Sequence, residues 1–343
     1  MINRAACLVI AVLVLAGAAR AQEPVKVGVI GLDTSHAPAF AKLLNAPEPG
    51  DDLAGFRVVA AYPHGSADIE SSVSRIPKYT QQYRDLGIDI VDSIDTLLQR
   101  VDVVLLETND GRPHLAQALA VMRAGKPVFI DKPIAASLVD AVIIFKAAEH
   151  YHVPVYSASS LRYIENAPAV LAGKIGRVLG AETFSPCSYE PHHPDLFWYG
   201  IHGVEPLIML MGNDCQTVTR YKTDSADVVI GQWPGGRIGT FRGLVAGKRS
   251  YGGRAFGEKG IMDLGSYQGY RPLLVDIVKM FRTGKPPVAA EQTLAVYAFM
   301  EAADESHRRD GQPVSVKQVL DQARQQADQR LAELLKTPEN IAK

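Results

Sequence analysis

Val25-Lys26-Val27-Gly28-Val29-Ile30-Gly31-Leu32-Asp33-Thr34-Ser35-His36 runs from a short apolar stretch into a glycine, and a helical pattern begins just beyond it. The pattern predicts a strand over residues 25–30, a tight turn at Gly31 and a helix from about Ser35. Ser35 is placed to cap that helix, and Pro38 falls in its first turn, where a missing N–H costs nothing. The Pro-, Gly- and Asp-rich stretch at 46–55 reads as a surface loop. Further apolar runs at 57–61, 101–106, 127–130 and 153–156 are separated by helical patterns such as 113–124 and 137–151. Strands alternating with helices predict a doubly wound parallel sheet over residues 24 to about 157. Val103-Val104-Leu105-Leu106 is apolar without alternation, as expected of a strand covered on both faces.

Beyond Leu161 the character changes. Runs at 178–185, 217–223, 228–233, 238–244 and 260–264 read as successive strands, with Pro234-Gly235-Gly236 as a hairpin turn. Helical patterns at 273–282, 292–309 and 316–335 close the chain. The expected fold class is α/β: an N-terminal Rossmann-type doubly wound parallel sheet over 22–157, plus a C-terminal α+β domain over 158–343 with a mainly antiparallel open sheet.

Residues 1–21 stand apart. Arg4 precedes an uncharged apolar run at 5–19 and the triplet Ala19-Arg20-Ala21, the pattern of a secretory signal peptide cleaved near Ala21, which predicts a periplasmic or secreted protein. A single arginine stands where a twin-arginine signal has two. The run is shorter than the roughly 20 residues of a membrane span, so no stable anchor is expected after cleavage. Removal takes two of 36 basic residues and none of 37 acidic ones, leaving a net charge of −3 and no basic field to attract nucleic acid. With 47% hydrophobic and 21% charged residues, the chain can bury a core and is not disordered. Cys7 departs with the signal; Cys187 and Cys215 remain, and in an oxidising compartment geometry decides whether they pair.

Four motifs in order carry a resemblance: Val29-Ile30-Gly31, Thr108-Asn109 after a central strand, Asp131-Lys132-Pro133 after the next, and Gly200-Ile201-His202 on a helix. Together they resemble the glucose-fructose oxidoreductase / inositol dehydrogenase (Gfo/Idh/MocA) family over nearly the whole mature chain, as a divergent exported member. The resemblance implies a nicotinamide cofactor, NAD or NADP, a small sugar-like substrate and a homo-oligomer. It implies that Lys132, matching the lysine of the family's Glu-Lys-Pro tripeptide, lies between the nicotinamide and the substrate hydroxyl. An ammonium there polarises a carbonyl or lowers the pKa of an alcohol losing hydride. It implies that His202 exchanges the hydroxyl proton, with Glu205 one turn on to orient it or raise its pKa. Gly31, Asp33, His36, Thr108, Asn109, His114 and Asp131 are expected to line the cofactor. Arg162, Tyr163, Trp198 and His193 are expected near the substrate, although Arg162 serves equally as an interdomain salt bridge and Trp198 equally as core.

Three departures accompany the resemblance. Only the first glycine of G-x-G-x-x-G survives, and Asp33 at the second position sets a carboxylate beside two phosphates unless it turns away or caps the helix. Tyr62-Pro63-His64-Gly65-Ser66 lacks the acid that holds the adenosine ribose; His64, Ser66 and Arg75 are candidates for a 2′-phosphate instead. Trp198 stands where many family members carry an aspartate four residues before the histidine, so Asp195 or Glu205 must substitute, or the histidine works unaided. Two other readings use the same cleft: a lyase or hydrolase acting on an oxidised sugar, in which His202 and Glu205, completed by His193 or Asp195, are candidate ligands although no metal is expected, and a carbohydrate-binding protein without catalysis.

Overall fold

The computed structural model describes residues 23–336. The candidate signal segment and Cys7 lie outside these residues. The first half runs β1 (Val25–Ile30), α1 (His36–Leu44), β2 (Phe56–Tyr62), α2 (Glu70–Asp85), β3 (Asp89–Ile90), α3 (Ile94–Leu98), β4 (Val103–Leu106), α4 (His114–Arg123), β5 (Val128–Ile130), α5 (Leu138–Tyr151) and β6 (Val155–Tyr156). Its strands form one parallel sheet in the order β3-β2-β1-β4-β5-β6. The chain order reverses between β1 and β4, and ligands of such sheets bind in the crevice beyond the strand ends at that switch point. All four residues of β4 are buried, as the absence of alternation predicts. Gly31 has φ +90°, and a Cβ there would meet the Thr108 amide nitrogen at 2.3 Å, so the turn after β1 accepts only glycine. Ser137 caps α5 by accepting from the Asp140 N–H at 3.0 Å. Ser35, by contrast, makes no side-chain cap on α1; its hydroxyl lies 2.9 Å from that of Tyr270.

The second half runs α6 (Ala167–Leu171), β7 (Val178–Pro186), α7 (Asp195–Trp198), α8 (Ile201–Met211), β8 (Thr217–Lys222), β9 (Ala226–Trp233), β10 (Arg237–Leu244), β11 (Gly252–Gly257), β12 (Gly260–Asp263), α9 (Arg271–Thr283), α10 (Ala290–Arg308), β13 (Val314–Ser315) and α11 (Val316–Lys336). Its seven-stranded sheet has the order β12-β11-β7-β10-β9-β8-β13 and is antiparallel except where β10 meets β7. Gly235 and Gly236, at φ 76° and 74°, turn the β9–β10 hairpin, as expected. Every residue of α8 is buried, because it packs against β7 and β10 on one side and α10 on the other. The boundary near 157 separates the sheets but not the helices. Leu273, Leu274 and Ile277 of α9 join the core around Phe40 and Leu44 of α1, and Arg330 of α11 pairs with Asp140 of α5 at 2.7 Å.

Cys187 and Cys215 are free and buried in different surroundings. The Cys187 thiol faces Asp227 at 3.7 Å, and that of Cys215 faces the carbonyls of Thr217 and Gln232, both at 3.6 Å. Among the described residues, no helix is long and apolar enough to cross a membrane.

Candidate active site

A cavity of about 240 Å³ opens where the two halves meet at the switch point. Thr34, Ser35 and His36 reach it from the start of α1, Asn109 from beyond β4, and Asp131 and Lys132 from beyond β5. Trp198, Tyr199 and His202 face them from α7 and α8. Lys132 and His202 thus share one cavity, and Lys132 Nζ stands 5.5 Å from the centre of the Tyr199 ring.

Asp33 turns away from the start of α1. It is fully buried and accepts from the Asn109 N–H at 2.9 Å, and a Cβ on Gly65 would meet its Oδ2 at 2.8 Å. Burial pushes its pKa up to about 6. The carboxyl is therefore sequestered beneath the turn, and the start of α1 presents Thr34, Ser35 and His36 to the cavity instead.

His202 is held differently from the expectation. Its Nδ1 lies 2.7 Å from Ser159 Oγ, which also accepts from the Leu161 N–H at 3.1 Å. Glu205 does not touch the imidazole: it accepts from the Ser159 N–H at 2.6 Å and faces Arg162 at 3.5 Å. Nor does it raise the pKa of His202. Burial, and then the charges of Lys132 and His36, hold that pKa well below the usual histidine value. Burial lifts Glu205 itself to about 7. Asp195 lies elsewhere, paired with Arg220 at 2.9 Å and with Lys222. Ser159 holds the imidazole instead; it stands in the run Ser157-Ala158-Ser159-Ser160 beyond β6, where no pattern of the sequence singles out one hydroxyl.

Arg162 and Tyr163 do not line the cavity. Arg162 ties the turn before α6 to Glu205 and to Gln292 of α10; all three belong to the second half of the chain, so this is an ion pair within it and not the interdomain salt bridge expected. Tyr163 donates to Asp276 of α9 at 2.6 Å and contacts the Tyr156 hydroxyl at 2.8 Å. His193 is buried against the Gly111 N–H at 3.1 Å and Asp110 at 3.2 Å, with its ring 4.8 Å from that of Trp198, so it supports the wall without facing a ligand. His114 is also structural, set between the carbonyls of Thr108 (2.7 Å) and Ile134 (3.3 Å). The Thr108 hydroxyl turns to Gln117 at 3.0 Å. His193, His202 and Glu205 share no common point, which removes them as a metal set; among the described residues the only such grouping is His36, Glu107 and Asp131.

Four tyrosines complete the wall: Tyr199, Tyr251, Tyr267 and Tyr270. Their rings form a chain around His202 and His36, with His202 4.8 Å from Tyr199 and His36 4.5 Å from Tyr270. Burial raises the pKa of the Tyr251 and Tyr267 hydroxyls, which keeps them protonated as hydrogen-bond donors. Such a wall offers hydroxyls to a polyol and ring faces to its C–H surfaces.

A second cavity of about 310 Å³ lies at the end of β2, lined by Tyr62, His64, Asp92, Ser93, Asp95 and Gln117 among others. Residues 63–69 join β2 to α2, and His64 among them lines the second cavity. The His64 carbonyl accepts from the Leu32 N–H at 3.4 Å, Ser66 bonds Asp110, and Arg112 grips Asp68 at 2.7 Å. Arg75 donates to the Asp33 carbonyl at 3.0 Å and lines the first cavity, not the second.

The fold and cleft define an architecture of a Rossmann unit joined to a mainly antiparallel sheet domain. More particularly, residues 25–159, the whole of that unit, match the family model of the Gfo/Idh/MocA proteins, described as an oxidoreductase family with an NAD-binding Rossmann fold. Over 130 residues the chain is 28% identical to inositol 2-dehydrogenase 2 of Saccharopolyspora erythraea, covering 35% of this chain and 38% of that protein. The match thus spans little more than a third of that relative's length. Scyllo-inositol dehydrogenase of Lactobacillus casei, solved with bound NAD(H) and scyllo-inositol, superposes with a TM-score of 0.68 at 14% identity, over 86% of this chain and all of that one. An oxidoreductase of Agrobacterium radiobacter, solved with NAD+, L-tartaric acid and magnesium, gives 0.66 at 16% identity, over 86% and 99% of the two chains. At such identities the structural likeness carries the fold alone.

Proposed function

We propose that this protein is an NAD-dependent dehydrogenase acting on a secondary alcohol of a cyclitol or sugar. The observation that carries the reading is the convergence of the Lys132 amine and the His202 imidazole on one hydroxyl-lined cavity. With its proton on Nδ1, His202 donates to Ser159, and Nε2 is left as the base that takes the substrate hydroxyl proton. The Lys132 ammonium stabilises negative charge growing on the same oxygen. Nicotinamide, when bound, supplies the hydride acceptor.

The donors suit a dinucleotide at its two ends. The cavity beyond β2 suits an adenosine: Asp92 and Asp95 offer acceptors to ribose hydroxyls, and its lining holds no lysine or arginine for a 2′-phosphate. That favours NAD over NADP, because carboxylates repel a phosphate. Thermal shift with each dinucleotide tests this: NAD at 100 times its Kd stabilises the fold by about 2.7 kcal/mol, and NADP does so far less. An equal response to both sinks the preference, and no response to either sinks the cofactor assignment. Formation of NADH with a panel of cyclitols and pyranoses then identifies the substrate class.

We also propose a homo-oligomer through the outer face of the seven-stranded sheet, where Tyr221 and Ile238 are 58% and 51% exposed. Light scattering is expected to give a multiple of the chain mass, and a charged residue at Ile238 to reduce it; a monomer at micromolar concentration refutes the idea.

A further inference from the structure

We propose that His36, Glu107 and Asp131 form a site for one divalent first-row cation at the floor of the cavity. His36 opens α1 just beyond β1, Glu107 directly follows β4, and Asp131 directly follows β5. Because β1, β4 and β5 are neighbours in the sheet, the topology delivers all three side chains to one point at the switch-point crevice. One ligand atom from each lies within 4.8 Å of the others. Bonds of about 2.0 to 2.2 Å to a common ion require those atoms to close in by roughly 1 Å, a side-chain adjustment.

Two buried oxygens point to a cation. Glu107 Oε1 and Asp131 Oδ2 have no hydrogen-bond partner, although both residues are fully buried. Buried carboxylate oxygens are ordinarily satisfied by donors or by a metal. A cation satisfies both and takes the place of the proton between His36 Nδ1 and Asp131 Oδ1, now 2.9 Å apart.

The donor set selects the ion. One imidazole and two carboxylates suit zinc, manganese or iron better than calcium, which favours oxygen alone. Three protein ligands leave coordination positions open, as in catalytic rather than structural zinc sites. His36 and Asp131 both line the cavity, so an open position faces the space where a hydroxyl or carbonyl of the substrate lies. The inference stands on these residues and does not depend on the dinucleotide.

The test uses the purified full chain, stripped with EDTA and titrated calorimetrically with zinc and manganese salts without any dinucleotide. One ion per chain is expected, with affinity falling at least about tenfold in both Glu107→Gln and His36→Gln. His192→Ala is the control, because His192 sits with Glu190 (2.7 Å) and Asp68 (3.5 Å) at the surface and offers an adventitious alternative. Cobalt substitution of the parent protein supplies a readout that survives if a variant fails to fold: visible bands shifted from those of hydrated cobalt mark protein ligands bound directly to the ion. The proposal is overturned by less than stoichiometric uptake, by uptake lost in His192→Ala but kept in Glu107→Gln, or by a cobalt spectrum identical to that of the hydrated ion. A dinucleotide that binds while no metal does leaves the dehydrogenase reading standing and removes this one.

Discussion

Lys132→Ala is expected to lower kcat by about 10² to 10⁴-fold, the usual worth of a positioned acid or base, while the melting temperature falls only slightly. The two effects separate because the hydrogen bonds that hold the turn at Lys132 are made by its main chain, while its ammonium only eases the charge on Asp131 and Glu107. Asp131 Oδ1 accepts from the Lys132 main-chain N–H at 2.8 Å and contacts His36, and both interactions survive the substitution. His202→Asn is expected to act in the same direction. The pH profile identifies the base: burial keeps the His202 imidazole neutral, so kcat/KM is present above its depressed pKa and lost only as pH falls through it. The profile therefore lacks the bend that an unperturbed histidine would give near its usual pKa. Steady-state kinetics with melting curves on the same preparations decide the matter. An alanine variant within about threefold of the parent kcat would remove Lys132 from the chemistry.

How much of this was legible beforehand follows from what kind of signal each feature carries. The parallel sheet was readable because β4 and β5 are short apolar runs without alternation, and burial on both faces leaves that mark in sequence. Segment 70–98 yielded no expectation: α2 is largely polar and carries Pro77 in its interior, and β3 has only two residues. β11 escaped because Gly252 and Gly253 open it and read as a turn. In the site, the positions of Lys132, His202 and Trp198 were legible, since motif spacing fixes where a side chain sits along the chain. Partners were not. Ser159 against His202 and Arg220 against Asp195 bring together residues 43 and 25 positions apart, and the tyrosine wall draws on residues at irregular intervals; nothing local encodes such pairings. Glu205, one turn from His202, illustrates the hazard: helical spacing predicts proximity, yet the carboxylate turned to a main-chain N–H and an arginine.

Arg220→Met is expected to destabilise the fold by about 3 to 5 kcal/mol, the cost of stranding buried carboxylates, and to lower the melting temperature by on the order of 10 °C. The Arg220 side chain is fully buried, and its guanidinium meets both oxygens of Asp227 at 2.8 and 2.9 Å, Asp195 at 2.9 Å, and Asp304. It joins β8 to β9, α7 and α10, so its removal leaves Asp227 and Asp304 inside the second domain without a counter-charge. Adding Asp227→Asn to the variant removes one stranded charge and is expected to recover at least about 1 kcal/mol, because the two positions are coupled. Activity is expected to respond differently. Lys222 continues to hold Asp195, which begins α7, and Trp198 at the other end of that helix keeps its place in the cavity wall. The folded fraction at 25 °C therefore turns over within about threefold of the parent, as a structural rather than a chemical role requires. Urea unfolding and initial rates on the single and double variants test both halves. A single variant that melts within about 1 °C of the parent would show that the carboxylates shed their charge by taking up protons, and that the ion network adds nothing to stability.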